Sequence, residues 1–150
     1  MRTMTRGGAT LALCGLACVA GGVLAAEPPS AGECFEAAVE SGDADAVAAC
    51  YAEDAVMWFP NGQMVTGRQA IRDGFAGYFA DVTPTGATLT QLGQEAIGDA
   101  RVAWGTYSLT LVDKATKAET VDRGSFMDVQ KLIDGKWLYI ADHASGMAAQ

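Results

Sequence analysis

Apolar residues recur every three or four positions in three segments before residue 82, which is the spacing of amphipathic helices. The first segment begins after Ser30, which has the Ser-x-x-Glu spacing of a capping box, and ends at Gly42. The second follows Asp43, a suitable N-cap, and reaches Tyr51. The third begins after Gly67, and its apolar face consists of Ile71, Phe75, Tyr78 and Phe79. The first two predicted helices form a hairpin about Gly42.

Beyond Gly86 the pattern changes to alternating polar and apolar residues. This period of two predicts four strands: 88–97, 101–112, 120–132 and 137–144. A shorter strand pair, 55–59 and 63–66, surrounds the turn Pro60-Asn61-Gly62 between the second and third helices. Three helices followed by a mostly antiparallel sheet predict an α+β fold, in which a curved sheet wraps the third helix.

The charge balance argues against two kinds of partner. Half of the 150 residues are hydrophobic and 19% are charged, which favours one folded domain over a disordered chain. Eighteen acidic residues against ten Lys and Arg give a formal charge of −8, and the chain has no run of basic residues. Nucleic acids and anionic membrane surfaces attract concentrated positive charge, so we expect no nucleic acid partner and, after removal of a signal, no membrane partner.

Residues 1–26 have the organisation of a secretory signal peptide. Both arginines of this segment lie in the first six residues, residues 7–26 are uncharged, and small residues precede Ala26. The mature chain is then 27–150, one domain in the periplasm or outside the cell. Two alternatives stay open: a retained membrane anchor, which the many Gly and Ala residues disfavour, and a lipoprotein attached through Cys18. Gly15 stands where lipidation favours a large apolar residue.

Export would leave two cysteines, Cys34 and Cys50, in an oxidising compartment. Each lies eight positions from Gly42, so the antiparallel helices of the predicted hairpin would bring them level. The spacing and the compartment therefore both predict a disulfide. Closing a loop of about 16 residues contributes on the order of 3 kcal/mol to stability.

Several strings, in order, resemble SnoaL-like and ketosteroid-isomerase-like members of the nuclear transport factor 2 superfamily. They are Ser41-Gly42-Asp43, Tyr51-Ala52-Glu53-Asp54-Ala55, Pro60-Asn61-Gly62, Thr66-Gly67-Arg68 and Ile71-Arg72. Two later strings are similar to the calcium/calmodulin-dependent protein kinase II association domain and its small bacterial relatives: Asp134-Gly135-Lys136-Trp137 and Asp142-His143-Ala144-Ser145-Gly146. The resemblance implies a cystatin-like cone, with three helices on a curved, mixed, mostly antiparallel sheet. It also implies a pocket on the concave face and homodimers through the convex face.

Activity does not follow from that resemblance, because the superfamily includes isomerases, cyclases, dehydratases, hydrolases and binding modules. The carbonyl-polarising tyrosine of the isomerases falls at Phe35 and their general-base aspartate at Phe59, so we do not expect ketosteroid isomerisation by that mechanism. The arginines with which the association domain holds an anion fall at Thr106, Asp128 and Ala144. The resemblance therefore favours a neutral or cationic apolar ligand.

The register of the last two strands decides which acidic residues face the pocket. A two-residue turn at 134–135 would place Asp128 and Asp142 on opposite faces, with His143 on the side of Asp128. A three-residue loop at 133–135 would pair Asp128 with Ile140 and Phe126 with Asp142, and would turn both aspartates to one face. We adopt the second register because both families place a pocket residue at the position of Asp128. Three aromatic residues then alternate on the convex face as a predicted dimer surface: Trp137, Tyr139 and His143.

Two carboxyl groups on one apolar face lose water and repel each other, so at least one should bind a proton well above pH 4. Asp128 and Asp142 are therefore the candidate catalytic acid and base, although both could serve only as structural hydrogen-bond acceptors. The expected ligand-binding residues are Phe59, Ile71, Phe75, Trp104, Thr106, Phe126 and Ile140. No cofactor and no metal site is predicted. Two hypotheses remain: a cofactor-free isomerase, lyase or cyclase acting on a small apolar substrate, and a non-catalytic ligand-binding or oligomerisation module.

Overall fold

The computed structural model describes residues 26–147. The predicted signal peptide and Cys18 lie outside these residues, except for Ala26. Three helices, α1 (Ala31–Ser41), α2 (Ala44–Ala48) and α3 (Arg68–Asp81), pack on one face of a sheet. The strands are β1 (Tyr51–Trp58), β2 (Met64–Thr66), β3 (Val82–Ile97), β4 (Ala100–Asp113), β5 (Glu119–Ile133) and β6 (Lys136–Gly146). Within this part of the chain, no helix is long and apolar enough to span a bilayer.

The six strands lie in the order β2-β1-β6-β5-β4-β3. All neighbours are antiparallel except β1 and β6, which run parallel, so the sheet is mixed. We call the side covered by the helices the inner face and the other side the outer face. The predicted α+β architecture is confirmed.

Local signals place the first helix as the sequence predicts. The Ser30 hydroxyl accepts a hydrogen bond from the Glu33 amide at 3.1 Å, and the Glu33 carboxylate accepts one from the Ser30 amide at 2.7 Å. Gly42 ends α1 in the left-handed conformation, with φ of 66°. A disulfide joins Cys34 and Cys50, whose Cα atoms are 5.8 Å apart.

Two boundaries differ from the prediction. The second helix ends at Ala48 and does not reach Tyr51, which begins β1 and pairs with Tyr139. Strand β3 begins at Val82, so the segment around Pro84 belongs to a strand although its composition predicts a turn. Proline is tolerated there because β3 lies at the edge of the sheet, where one side of the strand needs no hydrogen-bond donors.

The turn between β5 and β6 has two residues, and the predicted three-residue loop is wrong. Asp134 and Gly135 have φ angles of 51° and 76°, the pair of positive values that a type I′ hairpin turn requires. A bulge follows on β6: Gln130 pairs with Tyr139 and Val129 with Ala141, which leaves Ile140 as an extra residue.

This bulge reverses the facing of β6 residues beyond it. Asp128 consequently pairs with Asp142, not with Ile140, and Phe126 pairs with Ala144, not with Asp142. The adopted pairing was wrong, but the bulge still turns Asp128 and Asp142 to the same face. Both carboxyl groups lie on the inner face.

The predicted outer row of Trp137, Tyr139 and His143 is also wrong. Tyr139 is only 2% exposed and lies on the inner face, while His143 is exposed on the outer face. Trp137 packs against the guanidinium of Arg101, 4.0 Å from the ring centre, beside the buried Gln130 that Arg101 also contacts. The bulge at Ile140 separates the two aromatic residues from His143.

Candidate functional site

A cavity of about 420 Å³ lies between α1, α3 and the inner face of the sheet. Most of its lining is apolar or aromatic, and seven rings contribute to it: Phe35, Phe59, Phe75, Tyr78, Tyr107, Phe126 and Tyr139. Such a volume suits one small molecule. We call it the apolar cavity.

Asp142 is one of two carboxyl groups on the wall of the apolar cavity. It is 8% exposed, and its Oδ2 accepts a hydrogen bond of 2.7 Å from the hydroxyl of Tyr51, which is fully buried. Burial raises the pKa of Asp142 to about 6, against the opposing effects of the Tyr51 hydrogen bond and of His143. A carboxyl group of this kind exchanges its proton close to neutral pH.

Asp128 lies directly across from Asp142 and is held by a separate network. Its Oδ1 accepts a hydrogen bond of 2.8 Å from the Gln130 amide nitrogen. The amide oxygen of Gln130 accepts hydrogen bonds from Arg101 and from the Ala31 backbone amide, which fixes the orientation of the amide group. Burial, with a smaller contribution from the Asp142 charge, raises the pKa of Asp128 to about 7, against the opposing effects of the Gln130 hydrogen bond and of Arg101.

Asp128 does not border the apolar cavity. It lines a second cavity of about 320 Å³ between α1 and the inner face, which we call the polar cavity. The remaining lining residues of the polar cavity are Ser30, Gly32, Glu33, Glu36, Leu89, Gln91, Gln94, Phe126 and Gln130. Leu89 and Phe126 line both cavities and thus form a shared wall.

The other carboxyl group on the wall of the apolar cavity belongs to Asp122. Asp122 is half-buried, and burial raises its pKa. Burial, with a contribution from Asp122, also raises the pKa of Tyr78 and of Tyr107 to about 12, so both phenols stay protonated at neutral pH. The Tyr107 hydroxyl is buried and has no hydrogen-bond partner among the described residues.

The family of this chain follows from its match to a known protein domain. The model of the SnoaL-like domain matches residues 33–140. The chain belongs to the SnoaL-like family. No curated protein has significant sequence similarity to this SnoaL-like protein.

Solved structures of related proteins share its fold. A Xanthomonas campestris protein assigned to the calcium/calmodulin-dependent protein kinase II association domains is 26% identical, with a TM-score of 0.62 over 79% of this chain and 84% of that one. A ketosteroid isomerase-like protein from Erwinia carotovora atroseptica is 18% identical, with a TM-score of 0.70 over 79% and 92%. A nuclear transport factor 2-like superfamily protein from Salmonella enterica serovar Typhimurium is 16% identical, with a TM-score of 0.67 over 80% and 88%.

Three of the seven expected ligand-binding residues line the apolar cavity of this SnoaL-like protein: Phe59, Phe75 and Phe126. Ile71 is fully buried in the core, where it contributes to packing and does not line the cavity. Ile140 is the bulged residue of β6 and is not part of the lining either. These two expectations were wrong.

Trp104 and Thr106 are exposed, on the outer face, so the expectation that they line the pocket was also wrong. The β4 residues beside Trp104 that face inwards are the small Ala103 and Gly105, and the ring of Phe126 occupies the space above Gly105. A Cβ atom on Gly105 would lie 2.8 Å from the ring of Phe126. The expected lining, in which the resemblance contributed Thr106, therefore took the wrong face of this strand.

The sequence did not identify Tyr51, Tyr139 or Asp122 as parts of the site. Tyr51 was assigned to a helix and Tyr139 to the outer face, and in both cases only long-range pairing reveals the position. Asp122 and Asp128 are six positions apart on one strand, so their common facing was a signal that could have found Asp122.

Phe35 and Phe59, the residues that the resemblance matches to the isomerase tyrosine and aspartate, both line the apolar cavity. Their rings supply apolar surface but no proton donor or acceptor. Within residues 26–147, no group of three His, Cys, Asp or Glu side chains is placed to hold a metal ion. Acid–base chemistry in the apolar cavity would therefore depend mainly on Asp142.

Proposed function

We propose that this SnoaL-like protein binds a small, largely apolar molecule in the apolar cavity and exchanges a proton with it at Asp142. The observation that carries the proposal is the position of this carboxyl group. One oxygen is held by the Tyr51 hydroxyl, while the other accepts no hydrogen bond from the described residues. The group borders a cavity with a mostly apolar wall. A molecule bound there displaces water, and the loss of water strengthens the interaction between that molecule and the Asp142 carboxylate.

The protonation state suits a general base. Since the pKa of Asp142 is raised to about 6, the group is mostly ionised at neutral pH yet is a stronger base than an exposed aspartate. It would take a proton from a carbon activated by a neighbouring carbonyl group, and the electron pair would move to the carbonyl oxygen. Return of the proton to another carbon is isomerisation, and loss of a leaving group is elimination.

Isotope exchange tests this proposal even when the product of the reaction is not identified. Candidate ketones and enones would be incubated with the protein in D₂O, and the mass gain of each ligand would be measured. We expect exchange with wild-type protein, loss of exchange with Asp142→Asn, and retention with Asp122→Asn, which changes the other carboxyl group on the same cavity wall. Equal exchange by wild type and Asp142→Asn would contradict the assigned base.

A non-catalytic ligand-binding module is the second candidate function. The observation in its favour is that each buried aspartate already accepts a hydrogen bond from a fixed neighbour, Tyr51 or Gln130. Ligands extracted from the purified protein, identified by mass spectrometry and unchanged after incubation in D₂O, would favour this function.

Two further properties belong to the proposal. The Cys34–Cys50 disulfide and the signal-like pattern of residues 1–26 support export from the cytoplasm.

A row of mostly apolar residues in register across the outer face supports a homodimer through that face: Met64, Trp58, His143, Met127 and Trp104. Each pair of neighbours in the row is a cross-strand pair, and an interface about a two-fold axis would cover both copies of the row.

A further inference from the structure

The two cavities meet at one wall, where the buried aspartates lie on either side. Leu89 and Phe126 line both cavities. Asp142 borders the apolar cavity, and its cross-strand partner Asp128 borders the polar cavity. Directly opposed residues of an antiparallel pair have Cβ atoms about 5 Å apart. The two cavities are therefore adjacent, with the side chains of Leu89 and Phe126 between them.

The polar cavity has acidic chemistry. Three of its lining residues are acids and three are amides: Glu33, Glu36, Asp128, Gln91, Gln94 and Gln130. Neither cavity has a Lys, Arg or His among its lining residues. The cation that acts on Asp128 is Arg101, whose guanidinium donates hydrogen bonds to Gln130 and Glu27 and packs on Trp137. An anionic group in the polar cavity would meet three acidic side chains against this single cation, so its net electrostatic interaction is repulsive.

Asp128 is a buried carboxyl group held in place by its neighbours, and it is not part of a solvated acidic surface. It is 2% exposed, and its Oδ1 is fixed by Gln130. Its Oδ2 accepts no hydrogen bond from the described residues. This oxygen is not among the buried side-chain atoms without a partner, so it stays accessible from the polar cavity. A charged donor from a ligand there would form a charge-assisted hydrogen bond with it.

We propose that the ligand carries a protonated amine, which binds in the polar cavity at Asp128 while its apolar body fills the apolar cavity. This assignment rests on the proposed function, since it names the class of molecule that the apolar cavity takes. The ammonium group donates to Asp128 Oδ2 and is attracted by Glu33 and Glu36 from α1. The Asp142 charge adds to this attraction and Arg101 opposes it.

The amine also changes protonation at Asp128. A cation beside the carboxyl group favours its ionised form and lowers its pKa from about 7. Amine binding should therefore release a proton near neutral pH and strengthen as the pH rises from about 5.5 to about 8, while the amine itself stays charged. A neutral ligand of the same shape gains nothing from this ionisation.

Three probes that differ only in their head group test the inference: phenylhexylamine, phenylhexanol and phenylhexanoate. Calorimetry at about pH 8 should give at least about tenfold tighter binding for the amine than for the alcohol, and weakest binding for the carboxylate. The amine preference should fall severalfold at about pH 5.5. It should be lost in Asp128→Asn and kept in Asp134→Asn, which changes an exposed turn residue with the same substitution.

Glu36→Gln provides a second variant if Asp128→Asn does not fold. Its amide oxygen can still accept the hydrogen bond that the Leu89 backbone amide now donates to Glu36. We expect a partial loss of the amine preference, by about threefold. Equal binding of amine and alcohol to wild-type protein would overturn the amine assignment and leave the proposed function intact. Failure of all three probes to bind would contradict both.

Discussion

Asp128 and Asp142 lie directly opposite each other on β5 and β6, yet each borders a different cavity. Both are almost fully buried, and the charge of Asp142 raises the pKa of Asp128. Their titrations are therefore coupled, and the apparent pKa values belong to the pair. Burial raises the pKa of both groups, so the pair still binds protons at pH values where exposed aspartates are fully ionised.

The pair should make the protein less stable as the pH rises. In the unfolded chain both carboxyl groups have a pKa near 3.8, and in the folded chain the pKa values are about 7 and 6. Between about pH 4 and pH 7 the folded state thus binds more protons than the unfolded chain. The contribution of the two groups to the free energy of unfolding is therefore complete below about pH 4 and falls as the pH rises, until both groups are ionised in the folded state above about pH 7. We expect the free energy of unfolding in urea to fall by on the order of 3 kcal/mol from about pH 5 to about pH 8.

Asp128→Asn should remove a large part of this pH dependence, because asparagine resembles the protonated carboxyl group. Four other acids have a lowered pKa, which places their titration below this window: Glu33, Asp45, Asp99 and Asp113. A free energy of unfolding that is constant or rises from pH 5 to pH 8 would mean that the two aspartates titrate normally.

Removal of the Tyr51 hydroxyl should affect Asp142 in a way that removal of the Tyr107 hydroxyl does not. Tyr51→Phe takes the hydrogen-bond donor from Asp142, so we expect a loss of about 1–3 kcal/mol and a further rise in the pKa of Asp142. Tyr107→Phe removes a buried hydroxyl without a partner among the described residues and should be neutral or stabilising. Urea unfolding and carbon-detected NMR measure both effects. Equal losses in the two variants would refute the assigned hydrogen bond.

Gly105 is required by close approach and not by its backbone angles. In Gly105→Ala the new Cβ atom would lie 2.8 Å from the Phe126 ring and would also meet the backbone oxygen of Thr90, so we expect a loss of about 1–3 kcal/mol. Gly77→Ala is the matched control, since nothing lies within 4 Å of its new Cβ atom and alanine favours helix α3 by roughly 0.5–1 kcal/mol. Thermal unfolding should move in opposite directions for the two variants.

A charge in the outer row should separate the proposed dimer. Met127 is 56% exposed and lies within the row, between His143 and Trp104. We expect light scattering to give a dimer for wild-type protein at micromolar concentration and a monomer for Met127→Glu. Leu92→Glu, on the edge strand and outside the row, should remain dimeric. A wild-type monomer under these conditions would remove the outer face as an interface.

Loss of the disulfide should destabilise the helical hairpin. The Cys34–Cys50 bridge closes a sequence separation of 16 residues, and its removal should cost on the order of 3 kcal/mol. The double variant Cys34→Ser, Cys50→Ser should unfold at lower temperature, and reductant should lower the transition only in wild-type protein. A transition of oxidised wild-type protein that reductant leaves unchanged would show that the bridge contributes nothing.

Local signals in the sequence determined the helical part of the molecule and the fold class. The capping box at Ser30 and the left-handed Gly42 each act within about one turn of chain, and the Cys34–Cys50 disulfide spans 16 residues of a single helical hairpin. The alternation of polar and apolar residues likewise indicated the four long strands. Such features depend mainly on residues close in sequence, so they can be predicted before any long-range contact is known.

Tertiary structure alone decided which side chains meet in the site. The bulge at Ile140 sets the facing of Asp142, and a bulge arises from pairing between strands, which hydrophobic alternation does not encode. Trp104 faces outwards because the Phe126 ring already covers Gly105 on the inner face. Tyr51 reaches Asp142 only because β1 and β6 lie side by side although 91 residues separate the two side chains. The sequence thus determined the elements, while the competition of side chains for one inner face determined the site.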